Sequence, residues 1–261
     1  MKVGIVGIGV VGGACKFGFE LLGHHVAVHD IALDTTLDDV VESEIVYICV
    51  PTPRDIDGSC DISIVREVLD GLKERNYTGI IAIKSTVAPG TTEALRSTTG
   101  MNLCFVPEFL RERCAITDFT ENHDVCIIGC KDDETYETIK ECHGSLPEKF
   151  VKLNPTEAEF CKYFNNTYNA MLVVFANSFY EACKLKGADY TKVKNAIVSR
   201  KHIHSHYLEC NDNFRGFGGM CLPKDVSAMA KLMEETDVNF FQSLLDENNN
   251  YEVTVFKGMR K

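Results

Sequence analysis

The stretch KVGIVGIGVVGGACKFGFELL, residues 2–22, constrains the fold more than any other part of the chain. An apolar run leads into Gly7-Ile8-Gly9-Val10-Val11-Gly12, and an amphipathic segment follows at once. A strand, a glycine turn and a helix in immediate succession are the first half of a βαβ unit. The alternation then continues. Apolar strands are expected at 2–7, 25–30, 44–50, 79–85, 102–106 and 124–129, with helical patterns over 10–22, 62–75, 91–97 and 131–142. Strands this apolar must be buried on both faces, which predicts a doubly wound α/β domain on a parallel sheet.

In that setting the glycines acquire roles. Gly7 permits the tight turn, Gly9 lets backbone approach a pyrophosphate, and Gly12 packs helix against strand, with Val11 beside them in the first helical turn. The helix N-terminus would face the phosphates with its partial positive charge. Asp30 ends the second strand, 18 residues after Gly12. A carboxylate there binds ribose hydroxyls and repels a 2′-phosphate, so a Rossmann-type domain using NAD rather than NADP is expected. Ligands in such sheets bind beyond the carboxyl ends of the strands. The residues following the third, fourth and fifth strands include Thr52, Thr86 and Glu108, all expected to line one crevice.

Beyond residue 153 the character changes. Residues 156–187 hold no proline and end in glycine, which predicts one long helix stopped at Gly187. Helices are also expected over 189–199 and from Pro223 to a break near Asp237, with a last one reaching about Met259. The expected division is 1–153, an NAD-binding domain, and 154–261, an all-helical region. MLVVF at 171–175 is too apolar to face water on all sides, which predicts burial against another copy.

The formal net charge of −11 excludes a broad nucleic-acid or anionic-membrane surface. No window reaches the roughly 20 apolar residues of a membrane span. Met1-Lys2 enters the first strand with no cleavable leader, and twelve cysteines without a leader predict reduced thiols in the cytoplasm. Cys126 and Cys130, four apart, lack a second ligand pair nearby, and the alternating His202, His204 and His206 read as a His-rich loop, so no metal site is expected.

Taken together, GIGVVG, CVPTPRDIDGSCD, KSTVAPGTT, PEFLRERCAITDF, EAEFCKYFNN and GFGGMCLPKD resemble the UDP-glucose/GDP-mannose dehydrogenase family. They occur in the family's order, and the PEFLRE form is most similar to the branch acting on UDP-glucose. The resemblance implies a two-step, NAD-dependent oxidation of UDP-glucose, or a related nucleotide sugar, to the acid. Cys221 is the implied nucleophile. Gly218 and Gly219 clear space for a sugar, and the helix opening at Pro223 would favour a thiolate. Cys15, Cys49, Cys104, Cys126, Cys161 and Cys183 fall on apolar patterns and are expected to be core residues.

The other roles are likewise implied by the resemblance. Lys162 and Asn166, four apart on the long helix, would together address a developing oxyanion. Asp225 would activate water, with Glu108 serving as the base. Thr86, Glu112 and Lys224 would lie near the cofactor. Phe109, Leu110, Arg111, Tyr207 and Gly218 would line the substrate. Two departures stand out: Val106 and Arg113 replace an Asn and a Gly that usually flank PEFLRE. A substrate-reaching Arg falls at Arg200 or becomes Lys201. The family dimerises through the long helix and continues into a second α/β domain that binds the nucleotide. That domain is expected to begin near Lys261, which leaves open a naturally short form, a fragment, or a two-chain enzyme with a partner supplying it. Two other readings also stay open: a non-catalytic NAD-binding partner of a longer enzyme, and a single-hydride β-hydroxyacid dehydrogenase.

Overall fold

The computed structural model describes residues 1–254. The chain divides into two compact units, Met1–Pro53 with Cys60–Lys162, and Arg54–Ser59 with Tyr163 onward.

The first unit is a seven-stranded sheet of order β2-β1-β3-β4-β5-β6-β7. Its strands are β1 (Lys2–Val6), β2 (His25–His29), β3 (Ile45–Ile48), β4 (Ile80–Ile83), β5 (Leu103–Phe105), β6 (Cys126–Gly129) and β7 (Phe150–Leu153). Alternate residues of each strand serve opposite faces, as the two-residue period requires. Ile45, Tyr47, Ala82 and Cys104 meet Ala14 and Phe19 of α1 (Val10–Leu21), Phe119 of α4 (Ala115–Thr120) and Ile139 of α5 (Asp133–His143). Val46, Ile48, Ile81, Ile83 and Phe105 meet Val65, Leu69 and Leu72 of α2 (Ser63–Glu74) and Leu95 of α3 (Thr91–Thr99). The doubly wound architecture expected from the sequence is present.

Two features depart from that expectation. The sheet is not wholly parallel: β6 meets β5 antiparallel through the single pair Phe105–Gly129, and β7 then runs parallel to β6. FVKL, not among the expected strands, is β7.

The second unit is helical. It contains most of α6 (Pro155–Leu185), then α7 (Tyr190–Ile197), α8 (Leu222–Leu232) and α9 (Phe240–Asn248). The division between the units falls inside α6. The last helix ends at Asn248 rather than near Met259, and the remainder of that expected span, from residue 255, lies outside the described residues. Among the described residues no helix is long and apolar enough to cross a membrane.

His123 and His143 pack with Phe119 in the first unit. Burial first, and then the charge of Lys84, push His123 down to about 4 and His143 down as well. Both rings are therefore neutral in the fold, whereas an unfolded histidine takes a proton near 6.5. Stability should fall as pH drops from about 6.5 towards 4, because the unfolded chain binds those protons first. Urea unfolding at pH 7 and pH 5 should show this loss, and His123→Phe should shrink the difference between the two.

Candidate active site

The carboxyl ends of β1 to β5 lie on one edge of the first unit, and most of the expected cofactor residues gather there. Gly7 follows β1 with φ +91°, and a Cβ on it would lie 2.8 Å from the carbonyl oxygen of Cys49. A Cβ on Gly12 would come within 1.9 Å of the Gly7 carbonyl oxygen, so only glycine lets α1 start this close to the turn. Above Gly9 there is open space. No side chain caps α1 and no acid sits in its first turn, so its leading N–H groups, with Val11 half-buried among them, are left for an anion. Asp30 accepts hydrogen bonds from the Ile8 N–H at 2.6 Å and the Ala32 N–H at 2.8 Å. These two bonds hold its carboxyl below the usual carboxylate range. An ionised acid tied to the glycine turn, with lone pairs to spare, fits a dinucleotide's ribose, and the bare helix start fits its pyrophosphate.

Thr52 is buried and Thr86 half-buried, after β3 and β4 respectively. Cys60 ties the two loops together, its thiol donating to the Thr86 carbonyl at 3.1 Å and pointing to that of Thr52 at 3.8 Å. That bridge was not anticipated, since a thiol's backbone partners 8 and 26 residues away leave no local pattern.

Glu108 follows β5, and its side chain is only 11% exposed. Lys162, one of the α6 residues in this unit, donates to Glu108 Oε1 at 2.8 Å and to its carbonyl oxygen at 2.7 Å, while the Leu110 N–H donates to Oε2 at 2.7 Å. Burial pushes the Glu108 carboxyl up. The charge and hydrogen bond of Lys162, the Leu110 N–H and the charge of Lys84 outweigh it, leaving Glu108 below its ordinary value. Lys84 is itself buried, donating to the Val106 carbonyl at 3.2 Å, and sits near the Tyr47 and Phe119 rings. The side chain of Val106, at the position where the resemblance expects Asn, is fully buried.

The rest of the PEFLRE segment behaves unevenly. Phe109 lies against Lys162, with 5.9 Å between the ammonium and the ring centroid. Leu110 is half-buried, and Glu112 and Arg113 are exposed in a short 3₁₀ turn. Arg111, expected to line the substrate, makes a two-pronged contact with Asp118 at 2.9 and 2.6 Å. That guanidinium, first by its side-chain bond, drives the Asp118 carboxyl far below its usual range.

In the second unit, Asn166 donates to Asp225 Oδ2 at 2.5 Å and Lys224 to Oδ1 at 2.7 Å. Asp225 is fully buried, and its N–H bonds the Cys221 carbonyl at 2.9 Å in the opening turn of α8. Lys162 and Asn166 thus have different carboxylate partners, although they sit one turn apart on α6. Cys221 occupies the N-cap of α8 with Pro just inside the helix. All twelve cysteines lie within the described residues and none forms a disulfide; Cys221 alone is exposed. Cys15, Cys104, Cys126 and Cys183 are buried as expected, whereas Cys49 and Cys161 are only partly so. Gly218 faces Val253, 2.6 Å from where its Cβ would be. Tyr207 is 40% exposed and adopts φ +62°, unusual for a bulky side chain. Arg200 and Lys201 are exposed, and the arginine bound into the glycine loop is Arg215, which precedes it directly.

Comparison with known proteins adds to this geometry. Residues 31–146 match the NAD binding domain of the UDP-glucose/GDP-mannose dehydrogenase family, and residues 156–250 match its central domain. UDP-glucose 6-dehydrogenase AglM of Haloferax volcanii is 28% identical, over 95% of this chain and 70% of its own length. The UDP-glucose 6-dehydrogenase of Pseudomonas aeruginosa is 32% identical over 76% of this chain and 46% of its own. Among solved structures, a UDP-glucose dehydrogenase from Pyrobaculum islandicum superposes with a TM-score of 0.87 at 27% identity, covering 95% of this chain and 68% of that one.

Proposed function

Because the chain belongs to the UDP-glucose/GDP-mannose dehydrogenase family, we propose that it oxidises UDP-glucose to UDP-glucuronate in two NAD-dependent steps through Cys221. The observation that carries this reading is the exposure of Cys221, alone among twelve cysteines, at the start of α8. NAD supplies the hydride acceptor for both oxidations. The glycine turn and the first N–H groups of α1 hold its pyrophosphate, Asp30 a ribose, and Thr52, Thr86, Glu112 and Lys224 the remainder.

The primary alcohol first loses a hydride and a proton to give an aldehyde. The Cys221 thiolate adds to the aldehyde carbon, and the resulting thiohemiacetal again carries a hydrogen that leaves as hydride. Glu108 takes the hydroxyl proton of that adduct, and a thioester results. Lys162 and Asn166 donate to the oxygen wherever it bears negative charge. Asp225 takes a proton from the attacking water, the sulfur leaves as thiolate, and the acid departs. Phe109, Leu110, Arg111 and Tyr207 line the sugar, whereas the space that Gly218 was expected to clear is taken by Val253. The overall balance is one alcohol, one water and two NAD⁺ giving one acid, two NADH and two protons.

Spectrophotometry with UDP-glucose as the limiting reagent tests this, and two NADH per sugar is the expected yield. NAD binding without turnover would replace the reading with that of a binding partner for a longer enzyme. Turnover of small hydroxyacids by the Cys221→Ser protein would indicate a single-hydride dehydrogenase.

We also propose a homodimer through α6. Phe164, Tyr168, Phe175 and Phe179 are 74, 48, 52 and 47% exposed, and their spacings of four and seven keep them on one helical face. Light scattering should give twice the monomer mass at micromolar concentration, and Phe164→Glu with Phe175→Glu should give the monomer.

A further inference from the structure

The loop ahead of Cys221 is built from residues that fix little by themselves. Gly216 and Gly219 both adopt left-handed backbone, with φ +58° and +78°, so the chain can pivot on either side of Phe217-Gly218. Two buried asparagines from separate helices hold it. Asn248, the last residue of α9, accepts from the Phe217 N–H at 2.8 Å and donates its amide to the Phe217 carbonyl at 3.0 Å. It satisfies both backbone groups of that residue at once, as a neighbouring strand would. Asn177 of α6 presents Oδ1 to three donors: Arg215 Nε at 2.7 Å, the Gly216 N–H at 3.3 Å and the Cys210 thiol at 3.4 Å. The segment after α9 adds to the grip, since the Thr254 N–H donates to the Arg215 carbonyl and the Arg215 N–H to Thr254 Oγ1. The Phe217 ring is buried beside Ala170, Val174, Val226 and Leu244.

We propose that Asn248 is a positioning residue for Cys221. By pinning both peptide groups of Phe217 it fixes one end of a four-residue span whose other end is already set by the start of α8. Asn177 supports the same loop in a different way, offering one acceptor to several donors. This inference rests on the reading of Cys221 as the nucleophile.

The asymmetry between the two asparagines supplies the test. Asn177→Asp keeps the acceptor that Arg215, Gly216 and Cys210 use and loses only a donor to the Val173 carbonyl, one turn back on its own helix and outside the loop. Asn248→Asp instead loses the donor to Phe217 in the loop itself and sets a carboxylate oxygen against that carbonyl. The full chain is assayed for NADH production from UDP-glucose. Separately, the rate of Cys221 alkylation by iodoacetamide is followed by peptide mass spectrometry without substrate. Asn248→Leu and Asn248→Asp should each lower kcat about 100-fold, the scale of an ångström-sized misplacement, with KM for NAD unchanged. Both should change the alkylation rate at least about threefold. Asn177→Asp should stay near the parent protein in both assays, and Asn177→Leu should not. If Asn248→Leu does not fold, the isosteric Asn248→Asp decides. A folded Asn248→Asp with the parent's kcat and alkylation rate would overturn the proposal. If the parent protein shows no turnover, the reading of Cys221 as the nucleophile fails, while the alkylation rates still judge the loop.

Discussion

Cys221→Ser is expected to cut steady-state NADH production from UDP-glucose by on the order of 10³-fold or more. A hydroxyl at that position is a far weaker nucleophile than a thiolate, so the aldehyde cannot be captured as a hydride-donating adduct. NAD binding should be unaffected, because the proposal gives the Cys221 thiol no part in holding the cofactor, which rests on the glycine turn, Asp30 and the start of α1. Fluorescence titration with NADH checks this. Cys161→Ser is the matched control: that thiol is partly buried on α6, has no role in the proposed chemistry, and its loss should leave the rate within about twofold. A Cys221→Ser protein with the parent's rate would remove the covalent mechanism.

Lys162→Met should destabilise the fold by about 3–5 kcal/mol, because it strands a buried carboxylate whose ammonium partner has gone. Glu108→Gln combined with Lys162→Met should recover much of that loss, since the pair as a whole contributes less than either partner's removal costs. The pH dependence has a definite sign. In the parent, Glu108 titrates below its ordinary value, so its contribution is present at neutral pH and is lost as pH falls through the folded value. Without Lys162 the carboxyl is pushed up by burial, so its penalty appears as pH rises. The stability gap between parent and Lys162→Met should therefore widen from pH 4 to pH 7, as read by urea unfolding. Equal destabilisation of the single and double variants would contradict this account. NADH production should fall as well, because Lys162 is proposed to meet the developing oxyanion.

Much of the fold was legible from residues alone. The first strand, the glycine turn and α1 follow from KVGIVGIG, because a tight turn and close packing at Gly7 and Gly12 leave no room for a side chain. The reversal at β6 was not legible. Strands buried on both faces read the same whichever way they run, so an apolar run such as DVCIIG carries no direction. FVKL escaped because four half-buried residues ending one domain give too short a pattern to separate from a linker.

The site shows the same division. The resemblance selected Glu108, Lys162, Asn166, Asp225 and Cys221 by position. What it left out was which of them bond each other. Lys162 and Asn166 share a helical face by their spacing, yet a long lysine stem reaches Glu108 while the short amide meets Asp225. Lys84 ends an apolar strand with no sequence signal for its role, yet it lies buried, donates to the Val106 carbonyl and acts on Glu108 by its charge. The hold of Asn177 and Asn248 on the loop had no local signal, because the loop groups they bond lie 31 to 39 residues away in sequence.

The most direct test of the central claim is to look for the acyl group on sulfur. Asp225→Asn removes the acid proposed to activate water, so the thioester should accumulate when this variant turns over UDP-glucose and NAD. Acid quenching and peptide mass spectrometry should find the glucuronyl nucleotide attached to the peptide carrying Cys221. NADH formed with that cysteine unmodified, or with the adduct on another residue, would contradict the account.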